Sequence, residues 1–154
     1  MTWSEFAGIA GWSLTERGRG ENERLLAIQL DAHPGARRIV ERGHEAFLPL
    51  NSRLRGACTD WQLRPSPSEP LAANDHTDAD WDAGILSELA DIASELQSLE
   101  MALVGTLRRF GGYHRRFAQA LDHRRIDDSD QDSCHRVWFE LHEDLNATLG
   151  ISRG

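Results

Sequence analysis

ILSELADIASELQSLEMALVGTLRRFGGYHRRFAQA, residues 85–120, carries the most regular pattern in the chain. Ile85, Leu89, Ile92, Leu96, Leu99, Leu103, Thr106, Phe110, Tyr113, Phe117 and Ala120 step alternately by four and three. That spacing puts them on one face of a helix, and Ala93, Leu107 and Leu121 widen the stripe to the width a bundle helix buries. Gly111-Gly112 interrupts the run without shifting its phase, so a bend or two collinear pieces is expected there.

A second seam lies upstream. Ala36, Val40, Gly43, Phe47, Leu50, Leu54, Ala57 and Trp61 also alternate by four and three. Pro34 suits a first helical position, where its missing N–H is not needed. Pro49 falls inside the seam and is expected to kink or split this helix near residue 48. Between the two seams, residues 63–80 hold three prolines with Ser, Asn and Asp. They read as a long loop, with Asp78 or Asp80 capping the helix that follows. Downstream, IDDSDQDS reads as a turn, and Cys134, Trp138, Leu141, Leu145 and Thr148 mark a last helix ending at Gly150.

The N-terminal 32 residues are ambiguous. Ser4 can cap a short helix bearing Phe6, Ile9 and Trp12, and Gly18-Arg19-Gly20 is expected to break it. Leu26-Ile28-Leu30 alternates like a strand, but the flanking charges favour a helix. The expected fold is all-α: one domain over residues 1–154, with helices 34–62 and 80–123 forming a long antiparallel hairpin closed by helix 131–149. Three to five helices in all would cover the apolar faces.

At 154 residues and 17.3 kDa the chain fits one domain with a core of its own. Hydrophobic residues at 40% and charged residues at 27% exclude a disordered composition. No apolar run reaches the roughly 18 residues of a membrane span. The first residues lack a basic region and carry Glu5, unlike a secretory signal. Two cysteines, Cys58 and Cys134, are too few for a disulfide scaffold, and a cytoplasmic location is the expectation. Both fall on apolar faces, which suits buried structural thiols. Trp61 and Trp138 lie on seams and read as core; Trp3 and Trp12 read as a segment packed on the bundle or as anchors for a partner.

The net charge of −8 is unevenly spread. Residues 69–100 hold nine acids and no Arg, whereas residues 108–125 hold Arg108, Arg109, Arg115, Arg116, Arg124 and Arg125 against Asp122 alone. All 17 basic residues are Arg, as a GC-rich genome would give; guanidinium also suits phosphate and carboxylate. Acid at a helix start and base at its end satisfy the helix dipole. The same layout gives a local phosphate-binding face, with Arg109, Arg116 and Arg124 on similar sides of the helix. It also allows acidic and basic halves to pair between subunits.

No motif names a reaction, and no catalytic residue, metal site or cofactor is expected. Glu41-x-x-His44, with Asp132…His135 as its only near match, falls short of a di-iron carboxylate set. His44-Glu45 and His142-Glu143 lack the second His of a zinc-protease helix. Arg38…His44 and Arg109…His114 fit an Arg-x(4–6)-His spacing and resemble the motif of HEPN-type ribonucleases, small all-α domains that cut RNA as dimers. Ile39 and Phe110 stand where that family commonly has a polar residue. In size, helical hairpin and local Arg face, the chain resembles the small helical subunit of CRISPR–Cas effector complexes. That resemblance implies a non-catalytic subunit among other proteins, touching nucleic-acid backbone through Arg108, Arg109, Arg115, Arg116, Arg124 and Arg125. The alternatives are a protein-only adaptor or regulator, self-associating in one form, and a HEPN-like ribonuclease.

Overall fold

The computed structural model describes residues 2–6, 9–13, 15–127 and 132–151, the first two segments by backbone alone. Two short strands, β1 (Thr2–Phe6) and β2 (Ile9–Ser13), pair antiparallel with Trp3 opposite Trp12. Five helices follow: α1 (Glu16–Asp31), α2 (Ala36–Gln62), α3 (Ala79–Val104), α4 (Tyr113–Asp122) and α5 (Cys134–Leu149). A 3₁₀ turn at Arg108–Phe110 lies between α3 and α4.

The helical class and the α2/α3 hairpin stand as the two seams imply. Arg53 on α2 pairs with Glu88 on α3 at 2.7 Å, and Gly43 lies against Leu103, which makes the two helices antiparallel. An added Cβ at Gly43 would stand 2.9 Å from Leu103 Cδ2, so close packing is what glycine allows there. α5 packs on α2 through Phe47 and Trp138, stacked at 4.7 Å, with the Trp138 indole N–H donating to Asn51.

The largest departure is at Gly111-Gly112. α4 is not a collinear continuation of α3. It turns back along it, and the Glu100 carboxylate accepts from the backbone N–H groups of Gly112 at 2.9 Å and His114 at 2.6 Å. Collinear helices would hold these residues roughly 18–21 Å apart. The reversal uses Gly112 at φ +102°, a left-handed conformation open to glycine. Inside the turn, Leu107 and Phe110 are buried while Thr106 is not, because the seam slips once the helix ends at Val104. α2 to α5 thus form an up-down-up-down ring in which each helix packs on the next and α5 closes on α2. α1 packs on α5 and α2 through buried Leu30, leaving α3 with neighbours on its two flanks.

Other expectations are corrected. Thr2–Phe6 and Ile9–Ser13 form paired strands rather than a short helix, and the side chains of Ser4, Phe6, Ile9, Trp3 and Trp12 lie outside the described residues. α1 runs through Gly18 and Gly20 because Thr15 caps it, its hydroxyl accepting from Gly18 N–H at 3.1 Å. Pro34 sits in the turn before α2, and Gly35 at φ +76° makes the reversal. α2 continues unbroken through Pro49, which is exposed, so the carbonyl it leaves unpaired faces water.

The loop 63–78 is long, as expected, but anchored. Asn74 and Asp82 are buried, and Asn74 donates to Asp82 and to the Trp61 carbonyl, each at 3.0 Å. His76, at φ +58°, meets Asp82 at 2.9 Å and lies against the Trp61 ring. The Asn74 amide, then the His76 ring, hold the Asp82 carboxyl below its ordinary range. Asp78 is the cap of α3.

Candidate functional surface

The six arginines of residues 108–125 do not form one face. Arg109 turns inward to α5, where it pairs with Asp144 and donates to Thr148, while its guanidinium lies 4.6 Å over the Phe110 ring. Tyr113 donates to the other Asp144 oxygen at 2.9 Å. Burial and the Asp144 charge push the Tyr113 phenol above its usual range. Arg116 pairs with Asp132 at 2.9 Å and Glu140 at 2.7 Å, and hydrogen bonds to these carboxylates hold it still more firmly protonated. Arg109 thus ties the 3₁₀ turn to α5, and Arg116 ties α4 to α5 and to Asp132 just before it. They do not share a helix: Arg109 precedes the reversal at Gly112 and Arg116 follows it, so the spacing that would align them on one helix does not apply.

Arg108 and Arg115 are exposed and form no ion pair among the described residues. Arg124 ends α4 at φ +53°. Its N–H donates to Leu121 O and that of Arg125 to Ala120 O, a Schellman closure with Arg at the left-handed position where glycine is usual. Arg124 acts on Asp82, and Arg125 on Asp132, through charge. The N-terminus of α4, a natural anion site, is filled by Glu100. Of the six, Arg108, Arg115 and Arg124 are exposed and Arg125 is half-buried.

The catalytic and metal motifs separate in space. His44 stands 6.4 Å from His142 between α2 and α5, while His114 lies at the start of α4 beside Glu100. Arg38 is exposed and Arg109 is half-buried in its ion pair. His135 contacts Asp127 at 2.7 Å. Among the described residues no group of three or more His, Cys, Asp or Glu side chains is placed to hold a metal. Cys58 and Cys134 are buried, and burial pushes both thiols up to about 12.

The surface that seam-reading missed is the other side of α3. Ala83, Ser87, Ala90, Ser94, Ser98 and Met101 are exposed along it, with Asp91 and Glu95 at its edge. Met101 is 72% exposed. The signal was present as a second four-three spacing of small residues opposite the apolar seam. Beside this face, α2 and α3 flank an open groove of about 480 Å³ whose lining includes Gly56, Trp81 and Gly84 together with Arg53, Asp60, Asp80 and Glu88. Trp81 is fixed by its indole N–H donating to Asp60 O at 2.9 Å. No helix among the described residues is long and apolar enough to cross a membrane. Comparison with known protein families, curated proteins and solved structures finds no match to this chain.

Proposed function

We propose that the chain is a non-catalytic helical subunit that docks on protein within a larger assembly, and that the outward face of α3 is its docking surface. The observation that carries this reading is that face itself. A helix of 26 residues, about 39 Å long, buries one side in the bundle and presents on the other a stripe of small residues and an exposed methionine, with Asp91 and Glu95 at its edge. A solvated bundle face ordinarily carries charge, and small side chains let a second helix approach closely. The loss of Arg109 and Arg116 to internal ion pairs weighs in the same direction.

The test is affinity capture from native cells with and without nuclease, using the unaltered chain, Ala90→Arg and Arg115→Glu. Protein partners that survive nuclease and are lost with Ala90→Arg support the reading. Partners released by nuclease or by Arg115→Glu overturn it.

A second reading rests on Arg108 and Arg115, exposed and without an ion pair among the described residues. In it the chain is a nucleoprotein subunit like the small CRISPR–Cas subunits, touching phosphates locally while neighbouring proteins supply most of the affinity. Its signature is RNA or DNA binding that weakens steeply with salt and with Arg115→Glu.

A further inference from the structure

Two contacts fix how α2 and α3 lie along the groove between them. Arg53 holds both Glu88 oxygens at one end, at 2.7 and 3.1 Å, and the Trp81 indole N–H donates to Asp60 O at the other. Seven residues of each helix, about 10 Å, separate the two contacts. Gly56 and Gly84 fall between them, at about the same level on their two helices.

Three residues of the lining work against the stability of the free chain. Gly56 and Gly84 lie inside helices, where glycine is less favourable than alanine. A Cβ at either would meet nothing within 4 Å, so no contact within the chain requires a glycine, whereas Gly43 is accounted for by Leu103. Asp60 lies in the last turn of α2, where the helix dipole disfavours an acid. Asp80, in the first turn of α3, suits the dipole. Neither Asp forms an ion pair among the described residues. Arg53 neutralises Glu88, so the uncompensated charge of the groove is negative and sits at the Trp81 end. The Arg64 guanidinium, 5.7 Å from the centre of the Trp81 ring, is held by Asp78 and does not line the groove. Local choices that oppose folding and gather in one place mark where a fold meets a ligand.

The lining also selects the chemistry of the occupant. Its apolar part is Ala57, Ile85 and the anchored ring of Trp81, and its free charges are two carboxylates. An arginine side chain joins an apolar stem to a planar guanidinium, which stacks on aromatic rings and pairs with carboxylates. A phosphate would meet those carboxylates as like charge, which excludes a nucleic-acid backbone from this groove. We propose that the groove takes an arginine side chain of a protein partner, its stem passing Gly56 and Gly84 and its guanidinium lying at the Trp81 end against Asp60 and Asp80. The inference rests on the docking reading above for the source of the arginine, and on the groove alone for its chemistry.

The experiment titrates the purified 154-residue chain with butylguanidinium, the arginine side chain without its backbone, at constant ionic strength. Amide and indole N–H resonances are followed by NMR, with butylurea as the uncharged counterpart. Saturable shifts of the Trp81 indole and of amides near Gly56 and Gly84 are expected, with a dissociation constant of roughly millimolar order. Butylurea and the double variant Asp60→Asn, Asp80→Asn should each bind roughly tenfold more weakly or worse, and Gly84→Leu should abolish binding with helix content unchanged in circular dichroism. Gly56→Ala and Gly84→Ala should each raise the melting temperature; a fall would show that the fold itself needs these glycines and would remove the argument from them. Absence of saturable shifts overturns the proposal, as does equal binding of butylurea or of the double Asn variant. In the capture experiment above, loss of the protein partners with the double Asn variant supports the proposal. Partners lost with Ala90→Arg but kept by the double variant overturn the groove and leave the docking reading standing. Binding of butylguanidinium by a chain that captures no protein overturns the protein source, and the docking reading with it.

Discussion

Replacing Arg109 with Ala tests the division of the arginine cluster most directly. The substitution removes the ion pair to Asp144, the hydrogen bond to Thr148 and the contact over the Phe110 ring. Asp144 is left with the Tyr113 hydroxyl and the Thr148 side chain as its remaining neighbours. The two charged side chains are 28% and 17% exposed. A fully buried pair broken on one side loses about 3–5 kcal/mol and an exposed pair about 0–1. Partial exposure places this one between them, at about 2–3 kcal/mol. For a domain of this size each kcal/mol moves the melting temperature by roughly 2–4 °C, so the fall should be about 4–12 °C. Arg115→Ala, on an exposed side chain, should change stability by about 0.5 kcal/mol or less. Urea unfolding followed by circular dichroism reads both, with an unchanged denaturant slope confirming that the two chains unfold from comparable states. Equal losses for the two variants, or less than about 0.5 kcal/mol for Arg109→Ala, would refute the assignment of Arg109 to structure and return it to the surface.

Other outcomes follow from the core and the helix ends. Leu96→Ala and Leu103→Ala, both buried, should each lose about 2–5 kcal/mol in urea titrations. Arg124→Gly should stabilise the chain by about 0.5–1 kcal/mol in the same assay, because glycine relieves the left-handed strain at φ +53°. Both cysteines should react with a thiol reagent at pH 8 only as fast as the chain opens, and stability should fall above about pH 9 as the unfolded chain releases thiol protons that the fold retains. Asp82, Asp132 and Glu88 have depressed carboxyl pKa values in the fold, so their contribution is present above about pH 5 and is lost as pH falls through the folded values. Asp82→Asn should flatten the acid limb of a stability-against-pH curve.

What periodicity could show was which residues are buried, and it did so well. Leu89, Ile92, Leu96, Leu103, Phe117 and Trp138 are all core, because a four-three repeat has one physical solution over many turns. It could not show the path of the chain at Gly111-Gly112. An unshifted phase is compatible with a straight helix, and the long-range contact that decides the reversal, Glu100 to the start of α4, has no local signature. The same blindness divided the arginine cluster: spacing put Arg109 and Arg116 on one side of a helix, but the chain reverses between them and each reaches its own acid on α5. The N-terminal hairpin escaped notice because Ala10 and Gly11 dilute the alternation expected of a strand. The outward stripe of α3 has a different reason for lying outside the seam pattern, since small residues read as neither core nor charged surface.

The Glu100 contact also fixes an order of events. α4 has ten residues, too few for a helix stable in water by itself, and it begins after two glycines. Its first free amides are satisfied by a carboxylate one helix away, so they have their partner only after α3 has formed and the chain has doubled back. α4 is thus templated rather than self-nucleated. Its amides should open to solvent exchange together, as one unit, whenever the bend at Gly112 lets go, while the long helices α2 and α3 stay closed.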